Sequence, residues 1–359
     1  MKFMNILKFT IKTVPVICNK RYFFTVVISL FLQFVLLSVL HADNQSASSR
    51  AAFTRGSWIG ANNISMGTAV EAISADVFSI YWNPAGLTQL RYRKQNINEY
   101  VHEKLKDDEI DDISERDLAL YSDYSPKPFL QFGSSVSMLS LNREAAFSGA
   151  AFNIMNLVIA PGVYYIRSDD IEKRNESGTK TGYADYGAGV SYLSFAYPLD
   201  FISLGVTGKA LYENIDSTTY YGGGADFGIQ ADFIPLIGFG VVMQDLVQTM
   251  RPLEKSKYIS DDFDFSSPQI RMNVSVSSRT SDIIISFGLV RNLEDSNYSF
   301  KLGFKYDLTE FLNLAVGLND SQFSSGVNLK IWQLDLSYAV SLDKIDMGYN
   351  NTVSVKVIF

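Results

Sequence analysis

The chain has 359 residues, 47% hydrophobic and 19% charged, with 25 Phe, 20 Tyr, 2 His, 1 Cys and a formal charge of −7. That length fits two soluble domains or one large barrel. The acid excess argues against a nucleic-acid partner, which needs a basic surface, and the lone Cys18 excludes a disulfide framework.

Residues 1–42 differ from the rest. Lys2, Lys8, Lys12, Lys20 and Arg21 give a basic start without an acid, and an apolar run over 22–40 follows. His41-Ala42 then meets Asp43-Asn44-Gln45. This reads as a signal peptide cleaved after about Ala42; the alternative is a membrane anchor, because the run is long for a signal core. Without this segment the chain carries 26 basic and 38 acidic residues, a charge of −12, no cysteine and one histidine, His102. A polar leader spans 43–55.

Residues 56–90 mix small and apolar residues without strict alternation. Met66, Val70, Ile73 and Val77 are spaced for a short amphipathic helix. Asn83-Pro84-Ala85-Gly86 predicts the turn that stops it: Pro84 fixes φ and lacks an N–H, and Gly86 frees the chain after it. Residues 101–127 form a charged segment, with a possible extra strand over 95–104 or 116–124. Its acids, Asp107, Asp108, Asp111 and Asp112, lack the glycine and closing glutamate of a calcium loop, so the reading is a solvated loop and no metal is expected.

From 128 to 359 the period is two. Tyr298, Phe300, Leu302, Phe304 and Tyr306 alternate with Ser299, Lys301, Gly303 and Lys305. Ala225, Phe227 and Ile229 alternate with Asp226 and Gly228; Trp332, Leu334, Leu336 and Tyr338 repeat the pattern. About fourteen such segments predict an all-β fold, a transmembrane antiparallel β-barrel. A soluble sandwich would alternate too. Segments long enough to cross a bilayer and aromatics near their ends favour the barrel, and the Gly-, Ser- and Asn-rich face suits a lumen holding water or a plug. In the last segment Val353, Val355, Val357 and Phe359 share one face. A strand ending in Phe resembles the signal read by the outer-membrane barrel assembly machinery. The expected location is therefore the outer membrane of a diderm bacterium, with outer-membrane lipid and that machinery as partners.

No catalytic residue is assigned. His102 sits in the charged loop without an orienting partner, and no nucleotide loop or cofactor motif occurs.

One motif carries a resemblance. Met66-Gly67, Ala75-Asp76 and Tyr81-Trp82-Asn83-Pro84-Ala85-Gly86-Leu87 resemble the N-terminal motif of the FadL/PorV-like outer-membrane proteins, nearest to a spirochaete branch. Gln244-Asp245-Leu246 resembles that family's Gln-Asn-Leu element, and Pro268-Gln269-Ile270-Arg271 its Pro-x-x-x-Arg strand start. The sequence departs at Val77, where a second Asp is usual, and at Thr68 and Glu71, where small or apolar residues are usual. The resemblance implies a hatch over 56–100 inside the barrel, with Met66, Gly67, Asp76, Trp82, Asn83, Pro84, Ala85 and Gly86 as its motif. It implies passive uptake of a hydrophobic small-molecule ligand, such as a long-chain fatty acid. The alternative it implies is a PorV-like platform for secreted proteins.

Overall fold

The computed structural model describes residues 53, 58–90, 130–154, 157–199, 202–216, 218–234, 237–253, 264–265, 269–278, 283–292, 298–343 and 348–359. The expected signal peptide, all of the expected leader but Phe53, the 91–100 part of the expected hatch and the charged 101–127 segment lie outside them.

The described strands are β1 (Leu130–Leu139), β2 (Arg143–Ile154), β3 (Leu157–Arg174), β4 (Lys180–Leu199) and β5 (Ile202–Ile215). Then come β6 (Thr218–Ile234), β7 (Ile237–Pro252), the two-residue β8 (Asp264–Phe265), β9 (Gln269–Ser278) and β10 (Ile283–Asn292). The last five are β11 (Tyr298–Thr309), β12 (Leu312–Asn319), β13 (Gln322–Ile331), β14 (Leu334–Leu342) and β15 (Tyr349–Ile358). Each long strand pairs antiparallel with its neighbours in sequence, β7 pairs with β9, and β1 pairs with β15. The result is a closed cylinder of fourteen strands, with β8 extending the rim beside β7. Closure leaves no sheet edge, as a strand wall in lipid requires.

The alternation sorts side chains by face. Phe300, Leu302 and Phe304 are exposed on the outside while Lys301 is buried in the lumen. In β15 Val353 is exposed outward, as is Phe359 just past its end, and Asn350, Thr352 and Ser354 face in. Trp332 is a correction to the pattern: it is a turn residue with φ 52°, fully exposed, and the strand begins at Leu334.

The inner wall has two different arcs. Over β9–β15 it is polar, with Arg271, Ser286, Lys301, Asn313, Ser324, Asn328 and Asp335 buried inward. Over β2–β4 it is largely apolar, with Phe147, Val158, Tyr164, Ile166, Val190 and Tyr192 buried inward, and on β5 Leu211 stands between the polar Lys209 and Glu213. One feature interrupts the cylinder. Pro161 sits in mid-β3 and has no N–H to give the ladder. The β2–β3 pairs run to Gly149–Gly162 and resume at Phe152–Ile159, so two registers opposite Ala150 and Ala151 carry no pair.

Candidate functional site

The lumen is filled by residues 58–90. They fold as α1 (Ala61–Ser65), α2 (Ser79–Trp82) and a 3-10 helix (Pro84–Leu90), joined by turns. The helix expected through Met66, Val70, Ile73 and Val77 does not form. Gly67 and Thr68 take φ 60° and 58°, which reverses the chain after α1. A β-branched residue in that region is strained and persists only where its surroundings hold it. Here they do: the Thr68 amide donates to Asn63 (3.1 Å), its hydroxyl accepts from Asn319 (3.2 Å) and its carbonyl accepts from Lys301 (3.2 Å).

The wall meets this segment with glycines. Gly303 and Gly317 are cross-strand partners, and the Met66–Gly67 backbone lies directly on them. A methyl on Gly67 would stand 2.5 Å from the Leu318 nitrogen, and one on Gly317 would collide with Gly67 itself. Gly205 and Gly228, also paired, take the Pro84–Ala85 backbone and the Asn83 side chain in the same way. Inward glycines let two backbones touch where any side chain would keep them apart.

The Asn83–Gly86 turn ties this seat together. Asn83 is fully buried; its amide nitrogen donates to the Glu71 carbonyl (2.6 Å) and to the Ile229 carbonyl on β6 (3.1 Å). Its side-chain oxygen accepts from the Ala85 amide (3.1 Å), and its carbonyl accepts from Gly86 (2.8 Å). Pro84 opens the 3-10 helix, where a missing N–H costs nothing. Gly86 is needed for a reason other than backbone freedom: a Cβ there would run into the Ser74 carbonyl. Trp82 is buried, and its indole N–H donates to the Ile59 carbonyl (2.8 Å). Asp76 pairs with Lys356 of β15 (3.2 Å), which also pairs with Asp335 (3.1 Å).

Two of the three departures from the motif, Thr68 and Glu71, are side chains that grip the wall. Glu71, fully buried, lies 3.0 Å from Lys301 and 3.7 Å from Arg271. Arg271 donates to the Tyr81 and Trp82 carbonyls (3.0 and 3.2 Å) and lies over both rings. One carboxylate of the hatch and two cations of the wall thus form a latch, completed by the Thr68 contacts. Nothing in the spacing of the sequence pairs Glu71 with Arg271 or Lys301; its departure from the motif was the only signal.

Phe78, Ile80, Tyr81 and Trp82 are buried, and the first two lie against the apolar arc. Phe78 packs on Phe147 at 5.7 Å between ring centres, Phe147 on Tyr192 at 6.4 Å, and Ile80 reaches over Gly149 and Gly162. Burial lifts the Tyr81 hydroxyl above its usual range, opposed by the Arg271 charge, so Tyr81 is neutral. A cavity against the hatch, between Trp58, Ile64, Thr68 and Ser324, measures about 30 Å³, roughly one water in size. Among the described residues, no cluster of His, Cys, Asp and Glu is arranged to hold a metal.

A closed fourteen-stranded barrel with its lumen plugged from the N-terminal side of the chain defines the class: a plugged transmembrane β-barrel. No protein-family model and no curated protein sequence matches the chain. Solved structures do. The toluene transporter TbuX of Ralstonia pickettii is 11% identical with a TM-score of 0.55, over 84% of this chain and 98% of that one. A deltaS2 mutant of the monoaromatic hydrocarbon channel TodX is 9% identical with a TM-score of 0.53, over 83% and 97%. The P. putida toluene transporter TodX itself is 9% identical with a TM-score of 0.48, over 67% and 92%. At these identities the likeness is one of fold.

Proposed function

We propose that the protein is an outer-membrane channel for passive uptake of small hydrophobic molecules, long-chain fatty acids being one candidate class, and that residues 58–90 are its hatch. The observation that carries this reading is the apolar arc. Phe147, Tyr164, Ile166, Val190 and Tyr192 line the side of the lumen that packs on Phe78 and Ile80, inside a barrel whose β9–β15 face is polar. A water-filled pore gains nothing from such an arc. A solute leaving water gains about 25 cal/mol for each Å² of apolar surface it buries there. The cargoes named for the two fold-matched structures, toluene and monoaromatic hydrocarbons, are apolar as well.

The 30 Å³ cavity cannot hold such a solute, so passage requires the hatch to shift. This is binding and release, without bond chemistry. The platform alternative draws on exposed apolar loops, whereas the described β3–β4 tip carries Asp169, Asp170, Glu172, Lys173, Arg174 and Lys180.

The test is uptake of labelled toluene and labelled oleate by a strain lacking the gene and by the same strain with it restored. Faster entry of either compound on restoration is the expected outcome. Equal entry of both in the two strains would sink the transport reading.

A further inference from the structure

Beside the apolar arc, on β5–β7, lies a buried polar group that the latch does not use. Lys209 of β5 pairs with Asp226 of β6 (2.6 Å) and with Asp245 of β7. Asp245 is brought there by a bulge. The β6–β7 register shifts between Ala225 and Phe227, and Asp245 takes φ 57°, turning its carboxylate onto Lys209. Asp and Asn tolerate that conformation better than other side chains, which gives the Gln244-Asp245-Leu246 element a local reason. The Asp245 amide also donates to Asp226 Oδ1 (2.7 Å). Asp226 Oδ1 therefore has two donors, while Oδ2 is buried with none.

Two further polar atoms share this state. Tyr192 stands directly across from Lys209 on the ladder, and Tyr164 is one step along on β3. Both side chains are more than nine-tenths buried and neither hydroxyl has a partner. Tyr192 lies within electrostatic reach of Asp226, Tyr164 and the hatch residue Tyr81. Buried polar atoms without partners are uncommon and call for an explanation. Here three stand on β3, β4 and β6 of one side of the barrel, with the Phe147 ring 6.4 Å from that of Tyr192.

The geometry points to a binding site for an uncharged molecule with an apolar body and one hydroxyl, an aromatic alcohol or phenol, held by Tyr164, Tyr192 and Asp226. Asp226 Oδ2 can only accept, so it selects a donor, and the tyrosine hydroxyls can give or take the second bond. Lys209 is already shared by two carboxylates and has no charge left for an anion. A carboxylate would bring acceptors and a negative charge to a site already holding both. The inference rests on the uptake reading and narrows it: neutral cargo is favoured over fatty-acid carboxylates at this point of the path.

The experiment is equilibrium binding of radiolabelled toluene, benzyl alcohol and benzoate to the purified full chain in lipid vesicles at neutral pH. Benzyl alcohol should bind more tightly than benzoate. Tyr192→Phe and Tyr164→Phe should weaken benzyl alcohol by about tenfold in total, the worth of one or two neutral hydrogen bonds, and leave toluene unchanged. Asp226→Asn with Asp245→Asn should raise benzoate binding, because Lys209 is then uncompensated. Folding of each variant is read from heat-modifiable gel migration, and the tyrosine variants keep the site testable where the aspartate pair does not fold. Benzoate binding as tight as benzyl alcohol, or tyrosine variants that weaken toluene equally, would overturn the site while leaving uptake standing. Absence of all three ligands from the wild-type protein would also overturn the site, and the uptake reading itself falls only if oleate and toluene entry are unchanged by the gene.

Discussion

At the scale of single residues the decisive feature is Glu71, a carboxylate with no exposed surface, closed between Lys301 and Arg271. Breaking a buried ion pair from one side leaves a charge uncompensated, at a cost of about 3–5 kcal/mol. Glu71→Gln should therefore loosen the hatch far more than its size suggests. The readout is hydrogen exchange over residues 58–90, expected to accelerate strongly, with the strands unchanged. Lys301→Met combined with Glu71→Gln should cost less than the two changes summed, because the partners are then removed together. Additive effects would mean that the pair does not act as a latch. This residue also marks a limit of sequence reading. The motif flagged position 71 as unusual, yet its partners lie 200 and 230 residues away, and no local pattern joins them. Gly86 shows the same limit. Its type could be read as a turn signal, but the Ser74 carbonyl that requires it is a tertiary fact.

At the scale of elements, legibility followed the contrast between faces. Strands with one apolar and one polar face, such as β11 and β15, were readable nearly to their ends. The apolar arc was not, because β3 is apolar on both: Val163 and Tyr165 point outward while Tyr164 and Ile166 point inward. Period alone cannot tell a lipid face from a ligand face there. The helix through Met66 and Val77 failed for the opposite reason. Its spacing was right, but the wall glycines draw the chain into a reversal at Gly67–Thr68. The β2–β3 seam at Pro161 follows from a residue type that is read directly: a proline in a closed wall removes ladder bonds, which in lipid have no water to replace them. Pro161→Val restores the donor. Amide exchange at Ala150 and Ala151 should slow, and the thermal midpoint should rise. If the seam also lets apolar solutes leave toward the membrane, toluene entry should fall in the same variant. Unchanged exchange at both alanines would show that the missing pairs are not caused by the proline.

For the molecule as a whole, the wall and the plug are held by different interactions. The cylinder closes through backbone ladders from β1 round to β15, and no strand pair depends on residues 58–90. The hatch is held by Asn83, Asp76, the latch and the glycine seat, all side-chain or close-packing contacts to that finished wall. Deleting 58–90 should thus leave a barrel that still assembles, with its polar arc of Arg271, Lys301, Asn313, Asn328 and Asp335 now opened to water. Charged and amide side chains around an open lumen are what a conducting pore requires. In planar bilayers the full chain should pass little ion current and the deletion variant should show stable open-channel steps. A folded deletion variant that stays silent would mean that the lumen is closed by something other than the hatch. Large steps from the full chain would mean that the hatch does not seal it. The two results separate a plugged barrel, whose apolar arc can serve a solute without admitting ions, from a simple porin.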